Sequence, residues 1–417
     1  MTFTSFEFFA FFLFVLLGRC VTRNNTVTKW FLLVTSIFFC LISSVSCAIV
    51  ILFITFVDFF IGRKLGQIQN QHHRKRLLIF SLVITLGLLG FFKYTNFFLE
   101  NIWFVLGIMN IKTSQIKLNI TAPPGISFFT FASVSYIIDV YYNRLKPCHS
   151  FRDYALFLSF FPKLLSGPIA RAVNFLPQLK QRIQITALDL ETGLAYILLG
   201  AVKKLVIADQ VASHVNMIFS SPGQYDAYTL LQGLLGYTVQ LYCDFSGYSD
   251  MAIGAARLLG YKLPENFQMP FSAATITEFW RRWHITMSNW FRDYLFFPLE
   301  MARRKSLYPI FRTCSNLIIT YLVCGLWHGA GWGFVIWGGI HAVAMAIEVL
   351  WKRWNLFVSL EDSRLFQVAW TFISHILTLG VLLLSLIFFR SESVANACTY
   401  LTRLIFWTPN GTNMISP

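Results

Sequence analysis

LLIFSLVITLGLLGFF, Leu77–Phe92, carries no charged residue and approaches the length a helix needs to cross about 30 Å of hydrocarbon. Blocks of this kind recur along the 417 residues, 56% of which are hydrophobic and only 13% charged. A soluble domain has roughly 25% charged side chains, so this chain cannot cover its own apolar surface in water. Insertion into a bilayer as a bundle of helices is the first consequence.

The net charge of +15 would suggest nucleic acid in a soluble protein, but here the cations sit between apolar blocks. The positive-inside rule accounts for them, and no nucleic-acid partner is expected. Arg63, Lys64, Arg74, Lys75 and Arg76 form one cluster, Arg144, Lys146 and Arg152 a second, and Arg303, Arg304 and Lys305 a third. All three are expected on the cytoplasmic side. Eight cysteines include no CxxC pair and no metal-ligand spacing, so they read as small buried hydrophobes and no metal is expected. SFEFFAFFLFVLL lacks a basic leader and carries Glu7, which makes it a first, uncleaved span.

Working outward, the block Trp30 to Ile61 is too long for one helix, and Ser43, Ser44 and Ser46 divide it into two spans. The stretch from Asn110 to Gly125 reads as an external loop closed by Pro123, Pro124 and Gly125, after which ISFFTFASVSYIIDVYY returns inside. Between Tyr154 and Leu179 the apolar stretches fall to half a membrane thickness, broken by Pro162, Gly167, Pro168 and Pro177. FPKLLSGPIAR is then a re-entrant segment, with an interfacial loop as the alternative. GLAYILLGAVKKLVIA places Lys203 and Lys204 inside an apolar run, where they must snorkel or line a polar cavity; a tilted or partly interfacial helix is expected. No linker or repeat divides the sequence, and residues 1–417 read as a single membrane domain.

From Thr275 to Leu299 the pattern is amphipathic at helical period. Ile276, Phe279, Trp280, Trp283, Met287, Trp290, Phe291 and Tyr294 take one side; Glu278, Arg281, Arg282, Asn289, Arg292 and Asp293 take the other. One helix lying at the cytoplasmic interface is expected, with Glu278 pairing Arg282 four residues on. His284 falls between the faces, as a structural or interfacial histidine or as a functional one.

His328 stands in LVCGLWHGAGWGFVIWGGIHA, read as a hairpin whose Gly-rich turn approaches the outer leaflet. An ionisable residue at membrane depth is a functional candidate, and a neutral imidazole can take a proton from a hydroxyl. Hydrogen bonding across helices is the alternative. His341 and His375 read as helix-packing histidines, and Cys324, one turn before His328, as a small packing residue or a nucleophile paired with it. Asp244 and Asp250 offer paired carboxylates, although Asp250 equally suits the cap of a helix beginning at Met251.

Taken together, PGISFFTFASVSYIIDVY, FPKLLSGPIAR, QLYCDFSGYSDMAIGAARLLGY, ENFQMPF, TEFWRRWHITMSNWFRDYLFFPL and GLWHGAGWGFVIWGGIHA resemble the membrane-bound O-acyltransferase family, in its bacterial alginate O-acetyltransferase-like branch. The resemblance runs from about Pro124 to Ala342, weakly beyond, and its most specific element is WRRWH followed by LWHGA. It implies an all-α integral membrane fold of about 10 or 11 spans with re-entrant segments, in a ring around a central tunnel. It implies catalytic roles for His328 and for His284, the latter at the cytoplasmic end of the tunnel, with Arg281, Arg282, Asn266, Asp244 and Trp327 as donor or tunnel residues. It further implies a multi-pass protein of the bacterial inner membrane and, with no bound cofactor, a cytoplasmic acetyl-CoA donor. The acyl group passes to a periplasmic acetyltransferase partner and through it to an extracytoplasmic polysaccharide such as alginate.

MARRKS replaces the Gly-Gly-Asn-Arg turn of that branch, and the sequence ends soon after FFRSESVANACTYLTRLIFW, without that branch's final span or spans. Peptidoglycan or another cell-envelope glycan therefore remains an alternative acceptor. A transporter without group-transfer chemistry, or a scaffold that recruits an acetyltransferase, are the readings from other classes.

Overall fold

In a computed structural model, all residues are described except 2, 23, 112–113, 115–116, 182–183, 355–363, 410 and 412–417. Helix dominates, and the described residues contain no β-strand. Six helices among them are long and apolar enough to cross a membrane. Ile126–Tyr141 is a shorter apolar helix beside these, against the expectation of about 10 or 11 spans. The helices gather into two compact units, Met1–Ala201 with Tyr248–Glu265, and Val202–Gly247 with Asn266–Pro417.

The first unit contains α1 (Phe6–Val21), α2 (Asn25–Ser43), α3 (Val45–Gln67), α4 (Gln71–Ile108), α5 (Ile126–Tyr141), α6 (Phe151–Ser159), α7 (Phe161–Leu164), α8 (Ala172–Lys180) and α9 (Ala187–Ala201). The serine-rich division falls where expected, with Ser44 extended between α2 and α3. Described parts of the segment from Asn110 to Gly125 are irregular, while residues 112, 113, 115 and 116 of that expected external loop lie outside the described residues. Helix α4 has 38 residues, about 57 Å at 1.5 Å per residue, and so exceeds a hydrocarbon core.

The first basic cluster is not a loop. Arg63 and Lys64 belong to the end of α3, and Arg74 to the first turn of α4. Buried Arg74 donates to the carbonyl oxygens of Val140 and Tyr141 and to Asn143 Oδ1, so its charge meets the C-terminal end of α5. Buried Asp58 on α3 accepts from Ser81 and Thr85 on α4 and from Ser133 on α5, tying three helices together. Lys29 of α2 meets Asp153 of α6 at 3.1 Å.

The half-length segments expected between Tyr154 and Leu179 are α6, α7 and α8, with Pro162 near the start of α7 and Pro177 inside α8. They are packed deep in protein: Phe157, Phe160, Phe161 and Phe175 are almost wholly buried, and Lys163 Nζ lies 4.0 Å from the Phe157 ring centroid. Irregular backbone is tolerated at membrane depth under such cover.

The second unit begins with a π-helix, Val202–Ala208, followed by α10 (Asp209–Ser220). Helix α11 (Ala227–Leu258) is shared by residue range with the first unit; then come α12 (Ile276–Arg282), α13 (Ile285–Phe291), α14 (Phe297–Ala302), α15 (Pro309–His328), α16 (Trp332–Trp354), α17 (Arg364–Arg390) and α18 (Val394–Ile405). Lys203 and Lys204 fall in the π-helix. Lys204 contacts Asp244 at 2.5 Å and Asp209 at 2.8 Å, while Lys203 Nζ lies 5.7 Å from the Tyr242 ring centroid. Carboxylates and an aromatic face thus accommodate the lysines within a distorted turn.

Asp250 does not cap a helix. It lies inside α11, which runs through Met251 without a break, because the aliphatic and small residues on either side continue the helical pattern.

Candidate active site

The expected single helix over Thr275–Leu299 is two seven-residue helices followed by a π-turn, Arg292–Phe296. Its start is firmly capped: Thr275 Oγ1 accepts from Glu278 N–H at 3.1 Å, and Glu278 Oε2 accepts from Ala274 N–H at 2.9 Å. Glu348, from α16, accepts from the Ile276 N–H and from both the N–H and the hydroxyl of Thr277. Glu278 also pairs with Arg282 at 2.6 Å, as the spacing predicts.

The break comes at His284, whose φ of +42° places it in the left-handed region. Such a conformation at a non-glycine residue persists only where its surroundings impose it. Here an extended segment lies alongside: Gln268 N–H donates to Arg282 O at 2.9 Å, and Ile285 N–H to Asn266 O at 2.9 Å. The Asn266 side chain completes the clasp. Its Oδ1 accepts from Thr286 N–H at 3.3 Å and from Thr286 Oγ1 at 2.9 Å, and lies 3.1 Å from His284 Nδ1.

That geometry identifies the tautomer. A backbone N–H can only donate, so the shared Asn266 atom is an oxygen, and His284 Nδ1 must carry the proton. The lone pair of the ring is then on Nε2. His284 is fully buried, and burial pushes its pKa down to about 3, so the imidazole is neutral at physiological pH. The ring is thus enclosed by protein, and the expected faces are retained. The eight apolar residues of Thr275–Leu299 are buried, and Arg281 and Arg292 are exposed.

His328 is the last residue of α15, and the turn to α16 is the expected glycine-rich hairpin. Close approach of the helices requires glycine at two positions. A Cβ on Gly325 would lie 2.2 Å from Phe334 O, and one on Gly338 2.3 Å from Tyr321 O. The His328 ring meets Trp327 and Trp337 edge-on, each at 4.9 Å between centroids, and Phe389 of α17 at 5.2 Å. Trp327 also faces the His284 ring at 6.0 Å. One buried tryptophan therefore contacts both histidines of the WRRWH and LWHGA strings.

Beside them lies a cavity of about 100 Å³, large enough for a small polar group or several waters. Phe245, Phe271, Phe279, Trp283, Trp337, Phe389 and three leucines form most of its wall, with His328, His341, Thr238 and Ser385 as the polar contributors. A low-dielectric chamber with an imidazole in its wall suits proton transfer to or from a reacting oxygen.

Of the residues singled out in the sequence, His284, Asn266, Trp327 and His328 are brought together. Arg282 stands one turn below, held by Glu278 and by Ser272 Oγ at 2.9 Å. Arg281 is exposed and pairs with no carboxylate among the described residues. Asp244 is taken up by Lys204 and does not line the cavity. Cys324 is buried within α15. His375 is half-buried, with Nε2 3.2 Å from Ser272 O and Nδ1 2.7 Å from Thr371 O, so it links α17 to the segment before α12 as a packing histidine. His341, expected only to pack, lines the same cavity as His328. Its presence in an apolar span was a signal; its place beside His328 was not readable from spacing.

These features define an integral, multi-pass membrane protein with a buried histidine site in its helical core. The chain belongs to the MBOAT, membrane-bound O-acyltransferase family, whose model matches residues 140–386 and so includes both histidines. It is 38% identical over 351 residues to the probable alginate O-acetylase AlgI of Pseudomonas aeruginosa, covering 84% of this chain and 66% of that one. It is 33% identical over 416 residues to the peptidoglycan O-acetyltransferase of Helicobacter pylori, covering 93% and 75%. The teichoic acid D-alanyltransferase of Bacillus subtilis is 31% identical over 264 residues, covering 62% and 66%. The chain spans 66% and 58% of the lengths of the alginate O-acetylases it matches in Pseudomonas aeruginosa and Azotobacter vinelandii.

Proposed function

We propose that the chain is an O-acyltransferase of the bacterial inner membrane that moves an acetyl group from cytoplasmic acetyl-CoA for O-acetylation of an extracytoplasmic polysaccharide such as alginate. The observation that carries this reading is the meeting of His284 and His328 on Trp327 beside an aromatic-walled cavity. His328 takes the proton of the acceptor hydroxyl as its oxygen attacks the thioester carbonyl carbon. The C–S bond then breaks, and the leaving thiolate recovers the proton, so that hydroxyl and thioester become ester and free thiol. His284, kept neutral by burial and held in one tautomer by Asn266, orients the donor, and exposed Arg281 attracts its phosphates. A periplasmic acetyltransferase partner completes delivery to the polymer.

The Helicobacter pylori relative, matched over 93% of this chain, favours peptidoglycan as the second acceptor reading. Purified protein in liposomes, given radiolabelled acetyl-CoA on one face, tests the class of function. Thioester cleavage with label delivered across the bilayer is the expected result. Passage of intact donor would make the protein a transporter, and neither event would make it a scaffold.

A further inference from the structure

We propose that His341 is a second substrate-facing residue of the cavity, donating a hydrogen bond to the acyl carbonyl oxygen while His328 handles the proton. The proposal rests on the acyl-transfer reading above and adds to it the group that stabilises charge on oxygen.

His341 is on α16, across the hairpin from the helix that ends in His328, and both line the same cavity. The Trp337 ring stands against each, with centroids 4.9 Å from His328 and 4.8 Å from His341. Trp280 meets the His341 ring edge-on at 5.1 Å, and Tyr321 stacks on it at 6.5 Å, so the imidazole is oriented by aromatic surfaces. Those surfaces use none of its polarity. His341 is almost wholly buried, and its Nδ1 has no hydrogen-bond partner among the described residues.

A buried unpaired donor or acceptor costs about 1–3 kcal/mol, and in a folded protein it calls for a function or a ligand that repays the loss. A phenylalanine would satisfy the same aromatic neighbours without that penalty. The cavity offers few other donors. The hydroxyls of Thr238 and Ser385 donate to Leu234 O at 2.9 Å and Leu382 O at 2.8 Å, each within its own helix.

During attack the carbonyl oxygen of the thioester gains negative charge, and that charge must be met in a chamber walled by hydrocarbon and aromatic rings. An imidazole N–H held there stabilises the oxyanion without giving up its proton. The proton taken by His328 goes to the departing thiolate when the C–S bond breaks, so the cycle closes without any net change at His341. Removing one oxyanion donor lowers kcat by about 10²–10³ in comparable sites.

The test compares His341→Phe, His341→Gln, His328→Ala and His328→Gln in liposomes, reading kcat and KM for free-thiol release from acetyl-CoA. Phe at 341 should lower kcat by about 100-fold with much less change in KM, and Gln, whose amide can donate, should recover about tenfold over Phe. Gln at 328 should recover nothing over Ala, because an amide is no base. His341→Leu replaces the Phe variant if the latter does not fold. The proposal is overturned if the folded Phe or Leu variant keeps kcat within about threefold of the parent, or if Gln at 341 does no better than Phe. Absence of thiol release from the parent protein refutes the acyl-transfer reading itself, and the role of His341 with it.

Discussion

At His328 the side chain has three aromatic neighbours and a place at the end of a helix, so its removal should leave the hairpin intact while deleting the proposed base. His328→Ala and His328→Gln should both fold and insert, and both should lose roughly 3–5 kcal/mol of transition-state stabilisation. Steady-state transfer rates at matched protein levels, with thermal unfolding in detergent as the control, check this. Substantial transfer by a well-folded Gln variant would remove His328 from the mechanism. His284 makes a prediction about pH. Its folded pKa of about 3 lies below the unfolded value of 6.5, so between these values the unfolded state binds the extra proton. Its full contribution to stability is present above about pH 6.5 and is lost as pH falls toward 3. Unfolding midpoints measured across that window should fall less steeply for His284→Asn than for the parent. Identical slopes would mean that the buried imidazole does not stay neutral. The roles of these two residues were suggested by their strings, but the tautomer of His284 depends on Asn266 and Thr286, which only folding brings to it.

At the scale of elements, α12 owes its position to a carboxylate on another helix. Glu348 satisfies two backbone N–H groups and a hydroxyl at the start of α12, at the opposite end from His284. Charge-assisted hydrogen bonds of this kind are worth about 1.5–3 kcal/mol, so Glu348→Ala should lower the unfolding midpoint and reduce transfer more than Glu348→Gln does. An unchanged midpoint for the Ala variant would show that α12 is held by packing alone. The hairpin of α15 and α16 was legible because Gly325, Gly329, Gly331 and Gly338 mark a tight turn and a close approach within an apolar stretch. The division of α12 from α13 was not. Apolar residues keep helical period straight through Trp283 and His284, and nothing local announces the left-handed residue that the Asn266 segment imposes. The faces were nevertheless read correctly, because burial of the aromatic residues is required by either geometry.

For the whole molecule, orientation in the bilayer follows from charge. Single cysteines placed at Lys64 and Lys305 in a cysteine-free background should label only from the cytoplasm, and one at Lys117 only from outside. External labelling at both basic positions would invert the layout. Composition and block length were enough to read an all-helical membrane protein, since continuous apolar blocks of this length, without the alternation of barrel strands, satisfy their polar backbones in lipid as helices. They did not give the two compact units, because the boundary at Ala201 and Val202 falls within one apolar run, where Lys203 and Lys204 signal a polar surrounding but no boundary.

Hydrophobic periodicity, glycine placement and the two histidine strings are local properties, and the sequence alone determined what depends on them: helices, hairpin, buried faces and family. Contacts between residues far apart in the chain carry no local signature. The pairing of Lys204 with Asp244, the support of α12 by Glu348, the clasp of Asn266 on His284 and the gathering of His328 and His341 around one cavity were therefore decided only by the tertiary structure.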